Sequence, residues 1–480
     1  MEHFTTLVAL IGIVIVVASL LSNALDRSGV PLAIVFLVLG ALLGPMGLGL
    51  IDIGINSPML QVLATLGLAL VLFTDAVSTD LKDIRRNGWL LGLLLGPGTL
   101  IPVAVIALAG WFLLGLPPAA AILLGAALAS TDAVVLRRLL NARVLPARAQ
   151  VALRLETGMN DILLLPIVVL AMTVLAGGGA ITGELAQNAL GLLLLGPAIG
   201  AVVGWLGVMA LTRVRAGAGV RRDYEALYAI ALAFIAYAVA EAAGGSGFVA
   251  AFAAGLTIGA QDLELCDCFV EYGEATSLML ILLTFVAFGS SLIWTGLQVV
   301  DPRTLLFAAV ALAIRTVVLY ALLARAVPPR DRRLIALLGP RGISSLLLCL
   351  LPVFAGVPGA ERLFTVTCLV VLLSLVVHGT GMAFFLRRHR KHVPTVDPLS
   401  ASQGLTEEST LEPLRITIDD LKTLWASGEP VVIADARREA AYEADAARAQ
   451  AAVRLSPDDP VTSAKTLGLP RNATVVVFCA

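Results

Sequence analysis

Residues 150–175 read QVALRLETGMNDILLLPIVVLAMTVL. The run is long enough to cross the roughly 30 Å hydrocarbon core of a bilayer as a helix. It nevertheless carries Arg154, Glu156 and Asp161. A charge at the bilayer centre costs about 2.5–3.5 kcal/mol on the insertion scale, so such residues persist only with a compensating role. Arg154 lies near the helix end and is read as snorkelling to the interface. The two acids stand differently. Glu156 and Asn160 are four apart and share a face, and Thr157 and Asp161 share another about 100° round the helix. One acid can meet an arginine across a bundle while the other faces a pathway.

The same apolar pattern recurs along the chain. Of 480 residues 59% are hydrophobic and 14% charged, against about 25% charged in an average soluble domain. Apolar runs fall near 4–22, 30–48, 59–77, 89–114, 118–139, 150–175, 186–212, 225–243, 246–261, 275–297, 303–326, 332–354 and 361–386. This predicts an all-α polytopic membrane protein with about thirteen transmembrane helices. Basic residues gather in alternate loops, including Arg85 and Arg86, Arg137 and Arg138, Arg221 and Arg222, Arg332 and Arg333, and Arg387 and Arg388. The opposite loops hold only Arg303 and Arg362. That asymmetry predicts an N-terminus outside and a C-terminus in the cytoplasm, with an acidic loop around Asp262 to Glu274 against the trend. Met1-Glu2-His3 leads directly into an apolar run, so the first segment is expected to be a retained helix. Net charge is −1, which points to no nucleic-acid partner. The cysteines at 266, 268, 349, 368 and 479 form no metal or redox spacing, and the first four are read as structural. No cofactor is expected.

Six charges lie at membrane depth: Asp75, Asp132, Glu156, Asp161, Arg315 and Arg341. Left unpaired they would together cost on the order of 15–20 kcal/mol, more than a typical folding stability. They must face one another or a water-filled cavity. Ala129-Ser130-Thr131-Asp132-Ala133 sets short polar side chains beside a carboxylate, which suggests unwound backbone. Gly339-Pro340-Arg341-Gly342 breaks a second span. Two interrupted spans in corresponding halves point to a transporter's binding site, where freed carbonyl oxygens suit a hard cation. Proton coupling near neutral pH would require burial to favour neutral Asp161 by about 4 kcal/mol, and an arginine partner would work against that. The arginine is therefore assigned to Glu156. Plainer readings stand beside these: Asp75 as an interfacial cap, Asp132 as a hydrogen-bonder, and Glu156, Arg315 and Arg341 as ion pairs that orient helices. His378 reads as a packing residue, and Trp89, Tyr224 and Tyr228 as interfacial anchors.

At Ser130-Thr131-Asp132-Ala133, Glu156 to Asp161, Ser246 to Gly255 and Gly339 to Gly342 the sequence resembles the cation/proton antiporter family that includes the sodium/proton exchangers, on the branch with an Asn-Asp pair in the sixth helix. The resemblance implies inverted repeats with two crossed unwound helices, in a homodimer of the inner membrane. It implies that Asp161 binds proton and monovalent cation in turn, assisted by the Thr131 backbone oxygen, Asp132 and the Thr157 hydroxyl, with Asp75 a further candidate. Asn160 would stabilise the site, Glu156 would pair with Arg315, and Arg341 would sit in the crossing. The expected activity is secondary antiport of protons against sodium, one for one, serving pH homeostasis. Potassium/proton exchange, a gated channel and a membrane-anchored sensor are the alternatives.

These features place the membrane domain at 1–392, a polar linker at 393–413 and a small α/β segment at 414–480. Within the last, 431–435 and 473–479 read as strands and 437–449 as a helix. Ile433-Ala434-Asp435-Ala436-Arg437 followed by Tyr442 resembles the first strand and helix of a rhodanese-like domain. That resemblance puts Cys479 where the reactive cysteine belongs, without the anion-cradling loop that should follow. The segment is read as incomplete and without sulfurtransferase activity, and its partner is unknown.

Overall fold

Apolar runs in lipid must satisfy their own backbone hydrogen bonds, and helices do so. The computed structural model describes residues 11–20, 31–79, 87–132, 135–136, 139–140, 145–177, 183–217, 220–261, 263–389, 421, 431–437, 452–455, 463–464, 466–468 and 474–478. The chain divides into two units, Met1–Thr395 and Val396–Ala480.

The first unit is helical. Its elements are α1 (Ile11–Leu20), α2 (Leu32–Leu43), α3 (Pro58–Val77), α4 (Gly88–Leu95), α5 (Pro97–Leu114), α6 (Pro118–Ala129), α7 (Ala147–Ala176) and α8 (Gly183–Gly217). There follow α9 (Arg222–Ala242), α10 (Gly247–Gln261), α11 (Leu263–Ser290), α12 (Pro302–Leu322), α13 (Pro329–Leu337), α14 (Ile343–Phe354) and α15 (Ala360–His389). Pro58, Pro97, Pro118, Pro302 and Pro329 open their helices, where a missing N–H costs nothing. Among the described residues, seven helices are long and apolar enough to cross a membrane, and one further pair is bent by 46°. Shorter apolar helices, α6, α10 and α14 among them, accompany these.

Two sequence expectations change here. The stretch after Asp262, read as an acidic loop, is the first part of α11. Leu265 and Phe269, and Cys266 and Val270, repeat at helical spacing with no proline to interrupt them. The expected span 275–297 is not one straight helix, because beyond Ser290 the chain turns into a 3₁₀ helix, Leu292–Val299.

Between membrane helices the hydrophobic effect supplies little attraction, so close packing of small residues must hold them. On α8, Gly200 faces the Ala250 carbonyl of α10 so closely that a Cβ would overlap it. The two breaks foreseen in the sequence are present. α6 ends at Ala129, and helical backbone is next described at 135–136. α13 ends at Leu337, and α14 starts only at Ile343. The two breaks touch, Asp132 N donating to Pro340 O at 3.0 Å.

The second unit holds a parallel three-stranded sheet in the order β2-β1-β3, from β1 (Val431–Asp435), β2 (Val453–Arg454) and β3 (Thr474–Phe478). β2 was not expected from the sequence. Arg437 grips the Asp435 carboxylate at the end of β1, Nη2 to Oδ2 at 2.7 Å, and holds that carboxyl below its ordinary value. The linker 393–413, residues 438–449 of the expected helix, Tyr442 and Cys479 lie outside the described residues.

Replacing Gly200 with Leu should cost about 1–3 kcal/mol through overpacking and lower the melting temperature in detergent. Gly92 has open space where its Cβ would be, and Gly92→Ala should leave melting unchanged. Equal melting of the parent and Gly200→Leu would show that the α8–α10 contact is looser than described.

Candidate functional site

Each broken helix leaves carbonyls at one end and N–H groups at the other, equivalent to partial charges of opposite sign. The buried charges meet these ends with opposite sign. Arg341 donates from Nη1 to Ala129 O at 2.6 Å and Ser130 O at 2.9 Å, the carbonyls that close α6. Arg315 donates from Nη1 to Ile335 O at 3.2 Å and Ala336 O at 3.0 Å, near the end of α13. At the start of α14, Ile343 N donates to Asp132 Oδ2 at 2.7 Å, and Val135 N donates to its Oδ1 at 3.3 Å. Glycine is required between these groups. A Cβ on Gly342 would overlap the Asp132 carboxylate, and one on Gly339 would overlap the Arg315 guanidinium.

The unbroken α7 threads the other carboxylates into this frame. Glu156 takes the remaining face of Arg315 bidentately, Nε to Oε1 at 2.8 Å and Nη2 to Oε2 at 2.6 Å, with both side chains buried. Bidentate pairing fixes orientation as well as charge. Asp161, one residue beyond a helical turn, is buried too. Its described partner is a hydroxyl, Ser130 Oγ, which donates to Oδ1 at 2.7 Å. Among the described residues no basic side chain is bridged to it.

Asn160 donates from Nδ2 to Thr131 Oγ1 at 2.8 Å, while its Oδ1 is buried without a described partner. Thr157 is buried and returns its hydroxyl proton to Leu153 O at 2.8 Å. Asp75 is half-buried on the last turn of α3, and its carbonyl accepts from Thr79 Oγ1 at 2.6 Å. A Cβ on Gly158 would sit 3.8 Å from that same Thr79 oxygen, so this end of α3 lies against α7 beside the site. Ser130, Thr131, Asn160 and Asp161 thus form one cluster, Glu156 and Arg315 a second group, and Asp132 binds the start of α14. Oxygen donors of this kind suit a hard cation.

A family model for transmembrane sodium/hydrogen exchangers matches residues 12–388. The chain belongs to the sodium/hydrogen exchanger family. It is an integral membrane protein of a family of cation/proton antiporters, which are secondary transporters and use no cofactor. Among curated relatives, the K(+)/H(+) antiporter NhaP of Alkalimonas amylolytica is 27% identical over 82% of this chain and 68% of its own length. The K(+)/H(+) antiporter NhaP2 of Shewanella oneidensis is 28% identical over 88% of this chain and 74% of its own. Among solved structures, the sodium proton antiporter MjNhaP1 of Methanocaldococcus jannaschii superposes with a TM-score of 0.65 at 20% identity, covering 79% of this chain and all of that one. That likeness is one of fold.

Two side chains that hydrogen-bond in and around this cluster were not singled out from the sequence. Ser130 stood inside a quoted motif, and its hydroxyl beside Thr131 was the available signal. Ser374, whose Oγ accepts from Arg341 N at 2.7 Å and lies 3.2 Å from His378 Nδ1, carried none.

Glu156→Ala leaves Arg315 as a buried charge without its counter-ion and should cost about 3–5 kcal/mol. Replacing both, as Glu156→Gln with Arg315→Met, should cost less than the two single changes combined. Melting of the purified protein in detergent checks this, and strict additivity would show that the pair is not coupled.

Proposed function

We propose that this chain is a secondary antiporter that exchanges protons for a monovalent cation by competition at Asp161, with alternating access. One observation carries the reading. The described partners of Arg341, Arg315, Glu156 and Asp132 are helix ends or opposite charges, whereas the described partner of Asp161 is a neutral hydroxyl. A carboxylate held in that way can take a proton or a cation in turn. Asn160 Oδ1, the Thr131 backbone oxygen and the Thr157 hydroxyl are proposed to complete the cation's shell, with Asp75 at its edge. Asp132 is proposed to shape the site electrostatically, since two backbone N–H groups already occupy its oxygens.

With a neutral Asn160 beside Asp161, one cation replaces one proton and exchange is electroneutral. Sodium was the expectation from motif resemblance. The relatives named for potassium match more of the sequence, at 27–28% identity, than the 20% structural likeness named for sodium. Potassium therefore stands equal with sodium as the proposed cation. The proposed assembly is a homodimer in the inner membrane, N-terminus outside and C-terminus cytoplasmic, each protomer having thirteen spans in inverted repeats. The parallel sheet at 431–478 supports a rhodanese-like reading of the tail.

Everted vesicles test the proposal. Potassium or sodium should collapse an imposed pH gradient with the parent protein, and Asp161→Asn should abolish the response at every pH. Removing residues after Lys391 should leave exchange in place. Exchange surviving in Asp161→Asn would remove the assignment. A tail-dependent signal without measurable exchange would favour a sensor instead.

A further inference from the structure

Ser130 is the first residue past α6 and is fully buried. Its backbone is extended, at φ −59° and ψ 138°. Arg341 pins it through one nitrogen, Nη1, which donates to both Ala129 O and Ser130 O. The arginine is itself anchored, its backbone N donating to Ser374 Oγ. A serine held so firmly presents its hydroxyl in one place. That hydroxyl has one proton and two lone pairs, and the proton goes to Asp161 Oδ1 at 2.7 Å. The lone pairs have no donor among the described residues. Serine oxygen is a hard, neutral ligand, and it sits against the carboxylate that draws the cation.

We propose that Ser130 is a positioning and cation-coordinating residue of the exchange site. Its proton fixes the Asp161 carboxylate in one orientation, and its oxygen joins the coordination shell of the cation bound there. Arg341 acts at one remove, by fixing where Ser130 stands. This deepens the antiporter reading and rests on Asp161 being the exchange site. Thr131 contributes differently, because its hydroxyl already accepts from Asn160. Only Ser130 Oγ has a described hydrogen bond to the carboxylate itself.

The test compares the parent, Ser130→Ala, Ser130→Cys, Ser130→Thr and Asp161→Asn in everted vesicles. Apparent KM and maximal rate are measured separately for potassium and for sodium. Loss of a ligand seen by the bound cation should raise KM about tenfold in Ser130→Ala, with maximal rate at saturating cation within about threefold of the parent. Ser130→Cys keeps the shape but not the hard oxygen, so it should share the raised KM and guards against a packing defect at a single variant. Ser130→Thr keeps the hydroxyl and should restore KM to within about threefold. The potassium-to-sodium KM ratio should change in the alanine and cysteine variants, which a purely structural role would not produce.

Parent-like KM values and ratio in Ser130→Ala or Ser130→Cys overturn the role of Ser130. So does a threonine variant as impaired as the alanine variant. If Asp161→Asn has lost exchange in the same experiment, either result leaves the Asp161 reading standing. If exchange survives Asp161→Asn, both readings fall together.

Discussion

Backbone polar groups cannot be left open at membrane depth, and this chain opens two sets of them, after Ala129 and after Leu337. The charges around the crossing answer that constraint. Arg341 covers the carbonyls at the end of α6, Arg315 covers those near the end of α13, and Asp132 receives the first N–H of α14. Each charge meets a helix end of opposite sign, so desolvation of the ion and exposure of the backbone offset each other. The glycines follow from the same geometry, since a side chain at Gly339 or Gly342 would occupy the space of Arg315 or Asp132.

That arrangement determines what α7 can contribute. Arg315 brings more positive charge than two carbonyls neutralise, and Glu156 supplies the counter-charge in a bidentate pair. Asp161 lies on a different face of the same helix and meets Ser130 instead. Geometry thus separates two acids only five positions apart in sequence, one paired with an arginine and the other with a neutral hydroxyl. The surrounding helices pack closely, as in the contact of α8 with α10, where glycine brings two backbones together.

Much of this was legible in the sequence because the bilayer imposes coarse rules. Apolar runs marked the helices, and Ser130-Thr131-Asp132 and Gly339-Pro340-Arg341-Gly342 marked the breaks through residues that favour open backbone. Helical spacing within 156–161 was enough to separate the two acids. Other features left weaker traces. The acidic stretch after Asp262 read as a loop because charge dominates its composition, yet its apolar spacing is helical and α11 continues through it. The turn into the 3₁₀ helix at Leu292–Val299 had no proline to announce it. Ser374 lies far along the chain from Arg341, and a single serine in an apolar helix carries no sign of which backbone group it will receive. β2 is two residues long and too short for a periodic signal.

Competition between a proton and a cation for one buried carboxylate has a direct signature at equilibrium. Purified protein in weakly buffered detergent, titrated with potassium or sodium chloride against a choline chloride control, can be followed with a pH indicator and by calorimetry. At pH values low enough that the carboxylate is protonated before the cation binds, the parent should release about one proton per cation bound, with release falling as pH rises, and Asp161→Asn should release none. Cation binding without proton release at those low pH values, or equal release from the Asp161→Asn variant, would contradict exchange at Asp161.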